Sequence, residues 1–153
     1  MSEKLLFVCM GNICRSPTAR AVFDRALTAA GVAFVSESAG THGYHVGARP
    51  DRRAIEAAGR VGLDISGDIA RRFVVDDFER FNRIYVMDRA NLEGVEQQRP
   101  RGVSTPVELV MSLAPDYGLD EVPDPYYGGD EGFVRVIDML EAAADALVRE
   151  LRG

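Results

Sequence analysis

The sequence predicts an α/β domain built on a parallel sheet. Three features lead there. Leu5-Leu6-Phe7-Val8 is short, apolar and continuous, as in a strand buried on both faces. Ile84-Tyr85-Val86-Met87 has the same character. Such runs alternate with segments whose apolar residues recur at helical spacing, clearest over Gly132–Leu151, where Val136, Leu140, Ala143 and Leu147 share a face.

The elements follow in order. After the first strand, Cys9 to Arg15 reads as a turn, and Ser16-Pro17 as a helix start with Ser16 as N-cap and Pro17 at the first helical position. Ala21, Val22, Ala26 and Leu27 give that helix its apolar face, and Gly31 ends it. Val32 to Val35 reads as a second strand. Ser38 to Pro50 is rich in Gly, Ser, Thr and His and reads as a long loop, a kind of segment that is usually functional. Asp51 caps a helix to about Ala58, and Val75–Phe81 is a short helix capped near Asp76; Ile65–Phe73 has no clear period. Ile84–Met87 is the third strand and Asp88–Gln97 a helix. Val107–Val110 is a fourth strand with Pro106 at its edge. Ala114–Asp130 is a Gly/Pro/Asp-rich loop before the last helix. There is no internal repeat or linker, so residues 1–153 read as one domain.

Charge and cysteine usage narrow the function. The net charge of -6 disfavours nucleic acid and anionic membranes as partners, and no basic run with interleaved aromatics is present. No segment approaches the roughly 18 apolar residues of a membrane span, and the first ten residues do not read as a signal peptide. Two cysteines are too few for a disulfide scaffold. The two histidines and two cysteines make no zinc pattern, so no metal or other cofactor is expected. A reducing cytoplasm is the simplest compartment, with secretion by a route needing no signal peptide left open.

Ligands of parallel sheets bind beyond the carboxyl ends of strands, which directs attention to Cys9-Met10-Gly11-Asn12-Ile13-Cys14-Arg15-Ser16-Pro17. Amides between a strand end and a helix start can turn inward as an anion nest, and the helix N-terminus adds positive potential. Gly11 can take a positive φ, and Asn12 tolerates one. Arg15 offers a planar fork for two phosphate oxygens. Such a site also stabilises a thiolate, and Ser16 is placed to donate to it. On spacing alone, an inert buried Cys9 in a tight turn fits equally well. A Walker loop is excluded because its Gly-Lys-Ser/Thr ending is absent.

The stretch Val8–Pro17 closely resembles the signature loop of low-molecular-weight protein tyrosine phosphatases, and Asp124-Pro125-Tyr126-Tyr127-Gly128 resembles that family's general-acid loop. Ser38-Ala39-Gly40-Thr41 and Val86-Met87-Asp88-Arg89-Ala90-Asn91-Leu92 are also similar to the family, and the likeness spans essentially the whole chain. It implies a single-domain, flavodoxin-like three-layer fold with a four-stranded parallel sheet, and hydrolysis of phosphotyrosine through a cysteinyl-phosphate. It implies Cys9 as nucleophile, Arg15 as phosphate clamp and Asp124 as general acid, with Ser16 supporting the thiolate and Asn12 and Ser38 holding the loop's shape. The substrate phosphate would lie among residues Met10, Gly11, Asn12, Ile13, Cys14 and Arg15. Partners would be phosphotyrosine-containing proteins and a cognate tyrosine kinase. Two residues depart from the family pattern: Arg20 stands where a Glu is common, and Asp68 where many members have His. They bear on loop support, not on the chemistry.

The residues say why this chemistry needs Asp124 and the aromatics. A phenolate leaves more easily if its oxygen is protonated as it departs, and a carboxylic acid supplies that proton. Asp124 lies between Pro123 and Pro125, which restrict its backbone; position alone favours a turn-forming Asp, and the likeness of Asp-Pro-Tyr-Tyr-Gly to the family loop reverses that. Tyr126 or Tyr127, with Tyr44 opposite, can wall a slot for a phosphotyrosine ring. His42 and His45 receive no catalytic role. If the loop curls around phosphate, its two ends approach, and Cys14 becomes a resolving thiol for oxidised Cys9. The rival activity is arsenate reduction on a similar fold, but that relay uses further cysteines downstream, and none follows Cys14.

Overall fold

The computed structural model describes residues 2–153. Its core is a four-stranded parallel sheet in the order β2-β1-β3-β4, formed by β1 (Glu3–Cys9), β2 (Phe34–Gly40), β3 (Arg83–Val86) and β4 (Val107–Leu109). The helices are α1 (Arg15–Ala29), α2 (Arg52–Arg60), α3 (Asp77–Arg80), α4 (Arg89–Glu96) and α5 (Asp130–Arg152).

The apolar run of β1 is continuous because both faces of this strand are covered. Leu5 and Phe7 point into a core shared with α1, α2 and α5, where Phe23, Leu27, Ala58, Leu140 and Leu147 are buried. Leu6 and Val8 point the other way, into a second core with Phe73, Phe78, Phe81 and Val95. Helices thus cover both faces, giving the expected three layers. The aromatic rings of Phe7, Phe23 and Tyr85 meet in the first core, Phe7 and Phe23 with centroids 4.7 Å apart.

Chain order reverses at β1, which pairs with β2 on one side and β3 on the other. The carboxyl end of β1, where Cys9 sits, is therefore the topological switch point. Gly31 ends α1 as expected, at φ 72°, with Val32 N–H donating to Leu27 O. Asp51 caps α2, its carboxylate accepting from Arg53 N–H.

Several boundaries differ from the sequence expectation. The second strand runs over Phe34–Gly40, not Val32–Val35, so Ser38, Ala39 and Gly40 belong to the sheet and not to the loop. An edge strand paired on one side needs no continuous apolar run, and Ser36, Glu37 and Ser38 remain partly exposed. Ser16 is not the N-cap of α1. The helix begins at Arg15 with Cys14 at the cap position and no side-chain cap, because the Ser16 hydroxyl is engaged inside the loop. Pro17 is tolerated all the same, since first-turn amides lack helical partners. The third helix spans only Asp77–Arg80, and Asp76 makes no capping bond. Between β4 and α5, residues 115–117 form a 3₁₀ turn within the expected loop.

Candidate active site

The loop from Cys9 to Arg15 is shaped by one side chain more than by any glycine. Asn12 has φ 60°, the one non-glycine residue with a positive φ among those described, whereas Gly11 does not need one. The expectation for Gly11 is thus corrected: its conformation is open to other residues, and an added Cβ would press on the movable ring of His45 at 2.9 Å and touch Ile13 at an ordinary 3.8 Å. Asn12 holds its own strained backbone through its side chain. Its Nδ2 donates to Ser16 Oγ at 2.7 Å and Ser38 Oγ at 2.9 Å, while its Oδ1 accepts from Arg71 N–H at 2.9 Å. Asn12 and Ser16 are buried beneath the loop and line no part of the cavity above it, and Ser38 likewise acts from below. The Asn12 side chain is therefore a support, and its backbone amide turns toward Cys9 Sγ.

That amide donates to Cys9 Sγ at 3.2 Å, and the Ser16 hydroxyl lies 3.1 Å from the same sulfur. Cys9 is 3% exposed, so these dipoles take the place of water around it. Cys14 is buried too. Burial, then the charges of Asp51, Cys9 and Asp124, push its thiol far above the ordinary range. Both cysteines are free.

Gly40 packs directly beneath this loop. A Cβ there would lie 2.8 Å from Met10 O and 3.2 Å from Asn12 N. The close approach continues the β1–β2 pairing past its end, with Thr41 N–H donating to Cys9 O and His42 N–H to Met10 O.

Arg15 is almost fully buried beneath the site. Its Nη1 donates to Asp88 Oδ2 at 2.6 Å and to Val122 O at 3.0 Å, and its Nη2 is 3.5 Å from Asp124 Oδ2. Burial opposes the charge of Arg15, but Cys9, then Asp88 and Asp124, outweigh it and push the guanidinium above its ordinary pKa. Asp88 was read from the sequence only as the start of a helix. It does cap α4, exchanging bonds with Asn91 in a capping box, and its second oxygen fixes Arg15. Its capping role accounts for it locally, which hides the second one.

Asp124 is held by a turn of its own loop, with Tyr126 N–H donating to Asp124 Oδ1 at 3.0 Å. Upstream, Val122 N–H donates to Met87 O at the end of β3. A cavity of about 340 Å³ results, lined by Cys9, Met10, Gly11, Ile13, Cys14, Arg15, Tyr44, His45, Asp124, Tyr126 and Tyr127. Tyr126 is half-buried, in edge-to-face contact with Tyr127 at 5.0 Å; Tyr127 is 87% exposed. Tyr44 stands on the rim, 78% exposed, stacked on His42 at 5.3 Å. His45, which received no role from sequence, joins the lining and faces Tyr126 at 6.3 Å.

The two departures from the family pattern meet each other. Arg20 Nη2 donates to both Asp68 oxygens, at 2.9 and 3.0 Å, and its Nη1 to Asp24 at 2.7 Å. This bidentate pair ties α1 to the segment that delivers Arg71 N–H to Asn12. Among the described residues, no cluster of three or more His, Cys, Asp or Glu suits a metal ion.

The family model for low molecular weight phosphotyrosine protein phosphatase matches residues 4–153. The chain belongs to this family. By class it is a protein-tyrosine-phosphatase, a phosphoric monoester hydrolase. It is 40% identical over 133 residues to the low molecular weight phosphotyrosine protein phosphatase of Schizosaccharomyces pombe, covering 85% of each chain. It superposes on the crystal structure of a protein tyrosine phosphatase from Entamoeba histolytica with a TM-score of 0.93 and 38% identity, covering 99% of this chain and 97% of that one. A Drosophila arginine phosphatase is also similar, with a TM-score of 0.90 at 26% identity over 98% of both chains. These likenesses accord with the flavodoxin-like, four-stranded parallel fold.

Proposed function

We propose that the chain hydrolyses phosphotyrosine in proteins through a covalent cysteinyl-phosphate, with Asp124 as general acid and then general base. The reading rests chiefly on one observation: Cys9, Arg15 and Asp124 line a single cavity whose other walls are aromatic and apolar. The phosphate sits among the loop amides and the Arg15 fork, with its phosphorus in line with Cys9 Sγ. The Cys9 thiolate attacks phosphorus as the bond to the phenolic oxygen breaks, and the Asp124 carboxyl protonates that oxygen. Water then attacks the phosphocysteine, the Asp124 carboxylate takes its proton, and the P–S bond breaks to release inorganic phosphate. The scheme calls on no metal or organic cofactor. Its setting is the cytoplasm, with a tyrosine kinase supplying the substrates. Cys14 serves as the resolving thiol when Cys9 is oxidised.

Ring length supplies the selectivity. Tyr44, Tyr126 and Tyr127 stand at the mouth and Cys9 is buried, so a side chain must span the slot to present phosphorus to sulfur. Phosphotyrosine spans it and phosphoserine does not. Matched peptides carrying phosphotyrosine, phosphoserine or phosphoarginine test this by kcat/KM. A preference for phosphotyrosine over phosphoserine of at least about a hundredfold is expected, the scale of a misplaced reacting atom. Comparable values for these two would refute the slot, and a preference for phosphoarginine would reassign the substrate.

A further inference from the structure

We propose that Arg53 is a positioning residue for the general acid, fastening the segment that carries Asp124 to the phosphate loop. This rests on the role given above to Asp124. Arg53 is the second residue of α2 and is not among the residues that line the cavity. Its side chain nevertheless reaches the acid loop. Nη2 donates to Tyr126 O at 2.7 Å and Nη1 to Gly128 O at 3.0 Å.

The other side of the guanidinium is held by Asp51, with Nε 3.2 Å from Oδ1 and Nη2 3.3 Å from Oδ2. The plane also lies over the Phe133 ring at 4.7 Å and the Tyr126 ring at 5.8 Å. Asp51 in turn donates its backbone N–H to Ile13 O at 2.8 Å. One path of hydrogen bonds therefore runs from the phosphate loop at Ile13, through Asp51 and Arg53, to Tyr126 and Gly128.

Tyr126 is where this path meets the chemistry. Its N–H orients the Asp124 carboxylate and its C=O is held by Arg53. The same residue is thus gripped at both ends. Downstream of Asp124 the Gly128 N–H to Pro125 O turn is local, Pro125 is buried and Tyr126 packs on the core, so the Arg53 bonds supply the polar tie to α2. Upstream, the Val122 contacts with Met87 and Arg15 provide the other anchor. The clamp is charged at working pH. Burial acts to raise the Asp51 carboxyl, but bonds from the Arg53 side chain and backbone outweigh it and hold it below its ordinary value, and Asp51 raises Arg53 in return.

Only an arginine satisfies this geometry, since two carbonyls and a carboxylate surround one planar fork. The experiment is a leaving-group series of aryl phosphates assayed with wild type, Arg53→Gln, Arg53→Lys and Asp124→Asn. Read in kcat/KM, which covers only the steps through departure of the leaving group, Arg53→Gln should lose about tenfold or more on poor leaving groups and under about threefold on activated ones, a part of the 10²–10⁴ that general acids contribute. Inhibition by inorganic phosphate should be unchanged, which also establishes that the variant is folded and its phosphate loop intact. Arg53→Lys should not restore the loss. Adding Arg53→Gln to Asp124→Asn should cost nothing further. Equal losses on all leaving groups, or additive losses in the double variant, would overturn the clamp. If Arg53→Gln fails to fold, Asp51→Asn is read in its place, with the same steepened dependence expected and a flat one contradicting the proposal. Should Asp124→Asn itself show no leaving-group dependence, the general-acid reading fails and the clamp with it; a dependence there but not in Arg53→Gln removes the clamp alone.

Discussion

Cys9 and Cys14 lie in one loop with opposite surroundings. Cys9 Sγ receives the Asn12 amide and adjoins the Ser16 hydroxyl, whereas Cys14, also buried, is pushed up by burial and then by the charges of Asp51, Cys9 and Asp124. Peroxide should therefore oxidise Cys9 first, to a sulfenic acid. On the proposed role, the Cys14 thiol should then condense with it, forming the S–S bond and releasing water that carries the thiol proton. Reductant should restore activity to peroxide-treated wild type but much less to Cys14→Ser, and bound phosphate should protect both. Equal recovery of the two proteins would leave Cys14 a purely structural residue. At this scale Cys9, Arg15 and Asp124 could be singled out from contiguous motifs, and the structure brings the three to one cavity. Asn12 was legible as a support, although its positive φ was assigned to Gly11 as well. Asp88 and Arg53 were not legible: each already has a local explanation, as a helix cap and as a first-turn residue, and their partners lie 73 residues away or more.

Among the elements, β2 shapes the site most directly and was the least readable. Its polar residues fit an edge strand, and its last residue, Gly40, abuts the loop backbone. A side chain here would press on Met10 O and Asn12 N, which are backbone atoms and cannot rotate away. Gly40→Ala should cost about 1–3 kcal/mol, the usual range for overpacking, measured by denaturant unfolding. It should also lower kcat/KM more than this loss of stability explains, because the shift falls on the loop proposed to hold the phosphate. Full activity at unchanged stability would mean that the loop yields freely. By contrast β1, β3 and α5 were readable, since their apolar residues face cores on defined sides. The short α3 was overestimated at its start: the fully buried Asp77 accepts from Val74 N–H and Arg71, residues 75 and 76 form a turn, and the helix begins only at Asp77.

For the whole molecule, the proposed anion site belongs to an acidic chain of net charge -6. Backbone amides, one helix N-terminus and one buried arginine supply the positive potential locally, and Asp88 fixes the arginine so that little reorganisation is needed on binding. The switch point of the sheet places Cys9 there, and the segment after β4 brings Asp124 over it from the far end of the chain. The long-range closure of these two segments is what sequence periodicity cannot express, and it is the part that the family resemblance supplied. The central claim is that phosphate passes through Cys9. Rapid acid quench of Asp124→Asn during turnover of an activated aryl phosphate tests it most directly, because phosphorylation then needs little acid while hydrolysis of the intermediate lacks its base. The account predicts one phosphoryl group per chain, located on Cys9 by peptide mapping and absent from Cys9→Ser. Turnover with no trapped phosphoenzyme, or phosphate retained by Cys9→Ser, would contradict it.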